Sequence, residues 1–248
     1  MIGQMETATA VRPANGQSLM DNHLLARLDA EDRDAMERAG KRVRLTQGQI
    51  LFEPDDEITA VFFPTSGAIS LVVVMGDGSA VEALMVGREG ATDTLSYAIP
   101  HRAAARCVVQ LPGEALRVDA ARLRELARTR PGIQSMMELH AGRANLELQQ
   151  NAACNAVHRL EPRLAKWLLN SQDRAESDML PLTQEFLGEM LGAQRTTVTA
   201  VASALQKSGA IGYKRGRITV LSRSALERAS CECYAAAQKR TKAALRPV

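Results

Sequence analysis

The stretch Gln184–Glu185–Phe186–Leu187–Gly188–Glu189–Met190–Leu191–Gly192–Ala193–Gln194–Arg195–Thr196–Thr197–Val198–Thr199–Ala200–Val201–Ala202 decides how this chain is read. Before Gly192, the apolar residues Phe186, Leu187, Met190 and Leu191 recur at spacings of three and four, which gives a helix one buried face. After it, Val198, Val201, Ala202 and Leu205 repeat the pattern. Two helices meeting at a steep angle need a joint residue that tolerates positive φ and a small residue at their closest crossing; Gly192 and Gly188 take those positions. The spacing predicts a helix-turn-helix. Its second helix crowds Gln194, Arg195, Thr196, Thr197 and Thr199 into the first turn and a half, the end that enters the major groove in this motif. Arginine offers a two-pronged fork to guanine, while threonine hydroxyls and free N–H groups at a helix start suit phosphate oxygens. An ordinary helical hairpin shares the periodicity but requires neither the glycine spacing nor a basic hairpin directly after it.

Residues 210–221 read as such a β-hairpin. Ala210–Ile211–Gly212–Tyr213 and Ile218–Thr219–Val220–Leu221 are β-leaning runs joined through Lys214–Arg215–Gly216–Arg217, with Gly216 at the turn. Lys214, Arg215 and Arg217 at the tip fit a wing lying along a phosphate backbone, where cations displace counterions and add affinity for any sequence; the bland alternative is a solvated basic loop. Charge supports the wing. Residues 1–158 carry 16 Lys/Arg against 20 Asp/Glu, net −4, whereas residues 159–248 carry 15 against 8, net +7. The surface suited to a polyanion therefore belongs to the C-terminal third, although charge alone does not separate DNA from RNA or an acidic protein.

The chain has 248 residues, 46% of them hydrophobic, enough for one large domain or two modest ones. No apolar run reaches the roughly 18 residues of a membrane span, and the first residues lack the plan of a signal peptide. We expect a cytoplasmic protein that does not engage membranes. Its four cysteines do not make a disulfide framework for a chain of this length.

From Met1 to about Met20 no periodicity is sustained, and residues 1–20 are expected to form a flexible arm. Leu24, Leu25, Leu28 and Met36 suggest short helices. From Lys41 to Val118 the pattern is strand-like: Val43–Leu45, Ile50–Phe52, Ala60–Phe63, Ala68–Met75, Ala80–Val86, Arg106–Leu111 and Ala115–Val118, separated by turn residues such as Gly76–Asp77–Gly78. Short strands at this spacing suggest a β-barrel or double-sheet jelly roll, with a small open sheet as the alternative. Arg122 to Ala127 reads helical, and Pro131 sits where a long helix can start. From Gly132 to about His158, Met137, Ala141, Ala144 and Leu148 form a seam of coiled-coil spacing. Leu139, Leu146 and Ala153 form a second stripe, expected to face the protein's own barrel. A helix buried in a single core is the other reading.

The order of these parts, with Leu182–Thr183–Gln184–Glu185–Phe186–Leu187 leading into Gly192, Arg195–Thr196–Thr197–Val198 after it, and Arg163–Leu164–Ala165–Lys166–Trp167–Leu168–Leu169 before it, resembles the cyclic-AMP receptor protein/FNR (Crp/Fnr) family of bacterial transcription regulators, from about Leu24 to Leu226. The resemblance implies an α+β fold: a cyclic-nucleotide-binding-like β-barrel over residues 21–130, a dimerisation helix over 131–158, a winged helix-turn-helix over 159–230 and a tail over 231–248. It also implies a homodimer that reads a near-palindromic duplex operator, with the N-terminal domain as sensor; RNA polymerase is a candidate partner. DNA-binding residues are then Gln194, Arg195, Thr196, Thr197, Thr199, Lys214, Arg215 and Arg217. Arg195 falls on the family's guanine-reading arginine, whereas Thr196 and Ala200 replace a glutamate and an arginine of the cyclic-AMP type, so a different half-site is expected.

The sensor departs further. Cyclic-nucleotide binders of the family carry a Gly-Glu pair for the ribose and an Arg-Ser or Arg-Thr pair for the phosphate. Here the candidate effector pocket comprises Gly87, Arg88, Glu89, Arg102 and Ala103, with Arg88 in the glutamate's place. An arginine cannot accept a hydrogen bond from a hydroxyl; Glu89 could substitute only through a one-residue shift, which in a strand turns the side chain to the opposite face. We therefore expect weak or no cyclic-AMP binding and an effector, if any, of another kind, a cyclic-nucleotide response through a shifted pocket being the alternative. No iron–sulfur cluster is expected, because no cysteine precedes Cys107, and no haem, because His23, His101, His140 and His158 show no diagnostic grouping. Cys231–Glu232–Cys233 supplies two thiolates without an adjacent histidine, short of the four ligands of structural zinc, so no metal site is expected. Phosphate-loop, His-Glu-x-x-His and Gly-x-Ser-x-Gly motifs are missing, and no catalytic residue is assigned; an enzyme with a nucleic-acid-binding appendage is the distant alternative.

Overall fold

The computed structural model describes residues 18–244. The seven β-leaning runs become β1 (Gly40–Leu45), β2 (Ile50–Phe52), β3 (Ala60–Pro64), β4 (Ala68–Val74), β5 (Ala80–Val86), β6 (Arg106–Leu111) and β7 (Gly113–Asp119). They form two antiparallel sheets, ordered β1-β7-β3 and β2-β6-β4-β5. Between them lies a core of Leu45, Phe52, Phe62, Ile69, Cys107, Val109 and Ala115, the double-sheet arrangement of a jelly roll. β3 is buried along its whole length because it is covered twice. Phe62 points between the sheets, while Val61 and Phe63 point the other way, onto Leu24, Leu123 and Met136.

Helices close that second face. α1 (Ala30–Ala39) starts on Asp29, whose carboxylate accepts from the Asp32 N–H, and α2 (Ala120–Thr129) starts on Asp119, which accepts from Ala121 and Arg122. Of the expected arm, residues 1–17 lie outside the described residues. Leu19 is already buried in a 3-10 turn capped by Ser18, so the packed chain begins slightly before Met20.

α3 (Pro131–Val157) runs from Pro131 at its first turn to His158 at its C-cap. Its stripes differ from the sequence expectation, and the expected seam is divided: Leu148 is exposed and Ala141 half-buried. Met137 and Ala144 face the protein's own barrel, with Ile133, Met136, His140 and Arg143, while Cys154 is buried against Cys231 and Cys233. Leu139 is half-buried, and Leu146 and Ala153 look outward. The barrel-facing side includes His140, whose Nε2 bonds the Ala91 carbonyl at 2.9 Å, and Arg143, which pairs with Glu147 at 3.0 Å. Polar residues on that face hid it from a count of apolar ones.

The C-terminal part consists of α4 (Leu160–Ala175), β8 (Met179–Leu180), α5 (Gln184–Leu191), α6 (Arg195–Lys207), β9 (Ile211–Lys214), β10 (Arg217–Val220), α7 (Arg223–Ala229) and α8 (Cys233–Ala244). The stretch read as a tail contains α8, which packs along α3 and α4. The C-terminal core is continuous with the outer face of the larger sheet: Ala68, Val72, Met85, Val108 and Leu111 share one cluster with Leu164, Trp167 and Leu168 of α4. A buried polar chain crosses the same seam, in which Gln110 Nε2 donates to Ser171 Oγ at 2.8 Å and Trp167 Nε1 donates to Glu82 at 3.0 Å. No helix is long and apolar enough to cross a membrane among the described residues.

Candidate nucleic-acid interface

The helix pair is built as its glycines require. α5 begins on Thr183, whose hydroxyl accepts from the Phe186 N–H at 3.2 Å, and ends at Gly192, with φ 60° and ψ 44°, the left-handed region that a side chain rarely enters. A Cβ at Gly188 would lie 2.8 Å from the Ala193 carbonyl oxygen, so the chain can double back only over a glycine. Leu187, Met190, Val198, Ala202 and Leu205 bury the shared face.

α6 presents its opposite side to solvent. Gln194, Arg195, Thr196 and Thr197 are exposed, and Gln194, at the N-cap, makes no side-chain capping bond. The first-turn N–H groups of α6 are therefore open to an anion. Thr199 differs from its neighbours. Its Oγ1 lies 2.8 Å from Gln184 Oε1 and 2.8 Å from the Arg195 carbonyl, so its hydroxyl is held at the α5–α6 crossing.

Beyond α6, β9 and β10 pair antiparallel with Lys214 opposite Arg217, and β8 adds a third strand. Arg215 and Gly216 form the two-residue turn at φ 51° and 74°, the mirror-image turn whose twist matches a hairpin. Lys214, Arg215 and Arg217 are exposed, and among the described residues neither they nor Arg195 enter an ion pair. The turn lies against α5: a Cβ at Gly216 would lie 3.5 Å from Thr183 Cγ2.

The candidate effector residues are placed differently. β5 ends at Val86, and the chain then turns, with the Gly90 N–H bonding the Gly87 carbonyl at 3.1 Å. Strand alternation no longer applies there: Glu89 points inward and Arg88 outward to pair with Glu176, which corrects the expectation that a one-residue shift would turn Glu89 away. Glu89 accepts from the Gly87 N–H at 3.1 Å and from Arg174 of α4 at 3.0 and 2.5 Å. Burial opposes charge on this carboxyl, but Arg174 and then Arg143 outweigh it and hold its pKa down at about 2. The remaining cleft of about 240 Å³, lined in part by His23, Arg88, Glu147 and Asn170, falls below the roughly 300–1,000 Å³ of ordinary ligand pockets. Arg102 and Ala103 do not line it. Arg102 donates to the Asp55 carbonyl at 2.6 Å, and Ala103 sits in the core between the sheets.

Sequence reasoning missed Arg174, whose role depends on how α4 docks and leaves no local signal. It also considered Cys231 and Cys233 alone, whereas the fold brings Cys154 and His158 beside them. The Cys-x-x-x-His spacing at the end of α3 is the signal that was available. Cys107 stands apart in the barrel core, where burial first and Asp93 second push its thiol pKa well up.

Residues 42–130 match the model of the cyclic nucleotide-binding domain, and residues 162–229 match that of the Crp-like helix-turn-helix domain. No curated protein gives a significant match. Among solved structures, the chain is similar to the c-di-GMP responsive global regulator CLP of Xanthomonas campestris, with TM-score 0.65 and 16% identity over 78% of this chain and 100% of that one. It is also similar to a crp/fnr-family transcriptional regulator from Eubacterium rectale, with TM-score 0.64 and 15% identity over 83% and 96%. A CRP/FNR-family regulator from Thermus thermophilus gives TM-score 0.63 and 19% identity over 77% and 98%. With both domain models matched in the order that the fold displays, the chain belongs to the Crp/Fnr family of DNA-binding transcription regulators.

Proposed function

We propose that the protein acts as a homodimer on a near-palindromic duplex operator, reading bases through Arg195, Gln194, Thr196 and Thr197 and holding phosphates through Lys214, Arg215 and Arg217. The observation that carries this reading is that Arg195, Lys214, Arg215 and Arg217 are exposed and in no ion pair among the described residues, and that the start of α6 has no side-chain cap. Thr199 serves the helix crossing in this account rather than the DNA. Half-sites lie about one helical turn apart, roughly 34–36 Å, because two equivalent helices face one side of the duplex. No catalytic step is assigned.

The dimer seam is the outward stripe of α3. Ser135, Leu139, Gly142, Leu146, Gln149 and Ala153 follow one another at alternating spacings of four and three, the repeat of a coiled coil. Leu146 is 49% exposed in the single chain, and a second copy of α3 covers it in this reading. Sedimentation equilibrium tests this: the wild type sediments as a dimer and Leu146→Glu as a monomer. A Leu146→Glu protein that remains dimeric places the seam elsewhere.

The protein competes for its operator without cyclic AMP. Glu89, the carboxylate closest in sequence to the position that holds a ribose in the family's nucleotide binders, is already engaged by Arg174, and Arg102 is engaged elsewhere. Titration calorimetry with cyclic AMP is expected to give no saturable heat; tight stoichiometric binding would overturn this part of the reading.

A further inference from the structure

The end of α3 and the connection from α7 to α8 bring four side chains with metal-binding chemistry to one place: Cys154, His158, Cys231 and Cys233. Their ligand atoms all lie within 4.8 Å of one another. Cys154 Sγ is 3.6 Å from Cys231 Sγ, and Cys233 Sγ is 3.6 Å from His158 Nδ1. The three cysteines are buried free thiols, and His158 is half-buried. Local structure explains the convergence. Cys154 and His158, four residues apart at the last turn of α3, share one face, and the short break between Ser230 and Cys233 carries the other two ligands back onto that face.

We propose that these four residues form a tetrahedral Cys3His site for a zinc-like divalent cation. With metal–sulfur bonds of about 2.3 Å and metal–nitrogen bonds of about 2.0–2.1 Å, a tetrahedron separates two sulfurs by about 3.8 Å and a sulfur from a nitrogen by about 3.6 Å. The observed separations, both 3.6 Å, already have that size. A single ion therefore fits with small adjustments, whereas an iron–sulfur cluster interposes several atoms between its ligands and needs them farther apart. Three soft thiolates and an imidazole select zinc over magnesium or calcium. Four protein ligands leave no open position, so the site is structural rather than catalytic.

The surroundings fit the same assignment. His158 Nε2 lies 3.2 Å from Glu232 Oε1, the carboxylate–imidazole arrangement that fixes the ring and leaves Nδ1 free to bind. Gln150 Nε2 donates to Cys233 Sγ at 3.1 Å. Three thiolates and a divalent ion leave one negative charge, and Lys166 and Arg163 act electrostatically on the cysteines. Arg163 Nε is buried without a hydrogen-bond partner, a donor available to a thiolate charge. The site ties the last turn of α3, where the chain passes into the DNA-binding half, to the first residue of α8.

The test is metal analysis of the full-length protein, purified reduced, followed by replacement with cobalt(II). We expect about one zinc per chain, and a cobalt spectrum with the strong ligand-field and thiolate charge-transfer bands of a tetrahedral sulfur-rich site. This spectrum is read on the wild type and so does not depend on a variant's folding. Cys233→Ser and Cys231→Ser should lose the bands, Glu232→Gln should weaken metal affinity by about 10-fold to 100-fold, and Cys107→Ser should leave them unchanged. The proposal is overturned if reduced wild-type protein takes up no metal or gives an octahedral oxygen-type cobalt spectrum. Iron with acid-labile sulfide, or full metal content in Cys233→Ser, overturns it equally.

Discussion

The two ends of this molecule treat charge in opposite ways. At the helix-turn-helix and wing, Arg195, Lys214, Arg215 and Arg217 are in no ion pair among the described residues, and the first turn of α6 has no side-chain cap. At the turn after β5, Arg88 pairs with Glu176, Arg174 with Glu89 and Glu147, and Arg143 with Glu147. One end is prepared for a polyanion from outside. The other pairs its charges from within, using an arginine from α4 that also fastens the DNA-binding half to the barrel.

The largest effect comes from removing that arginine. Arg174→Ala leaves Glu89 buried without its main partner, and losing one member of a buried pair costs about 3–5 kcal/mol. Denaturant unfolding should show a loss of this size, and a loss below about 1 kcal/mol would mean that the internal pairing contributes little and the contrast between the two ends is superficial.

Next in size is the reading helix. Arg195→Ala should weaken binding to the selected operator by about 1–3 kcal/mol and relax preference at one base position, while leaving unfolding stability nearly unchanged because the side chain is exposed. Equal affinity of variant and wild type for the operator would remove Arg195 from the readers.

pH acts in opposite directions on two carboxyls of the internally paired end. Burial, opposed by Ser70, Arg174 and Trp167, raises the Glu82 pKa from 4.5 to about 7 at the seam between barrel and α4. A carboxyl raised on folding gives stability that is complete below pH 4.5 and is lost as pH rises through about 7. Glu82→Gln should therefore flatten this part of the melting profile. Glu89 works the other way: its contribution is present above 4.5 and lost only as pH falls through about 2. A melting profile of Glu82→Gln that parallels the wild type across this window would remove Glu82 as the source. The smallest effect belongs to the wing, where Arg215→Ala should lower the slope of log affinity against log salt by about 1 and leave sequence preference intact.

Local pattern exposed much of this architecture. Runs of β-leaning residues between turn residues located all seven barrel strands to within a few residues, and the helix crossing was marked by Gly188, where a Cβ has no room, and Gly192, whose backbone is left-handed. The stripes of α3 were legible but interchangeable: the helix is apolar on both sides, and the barrel-facing side contains His140 and Arg143. Pairings between distant segments were hidden altogether. Arg174 meets Glu89 across 85 residues, and Cys154 meets Cys231 across 77; neither can be read from spacing until the docking of α4 and α8 is known.

The central claim is that the DNA-binding end is competent while the nucleotide position is occupied by the protein's own side chains. Its most direct test is selection of duplex DNA from a random library by the purified protein, at fixed salt, with and without cyclic AMP. We predict enrichment of the same palindrome, with half-sites about one helical turn apart, in both arms. Enrichment only in the presence of cyclic AMP would contradict the account.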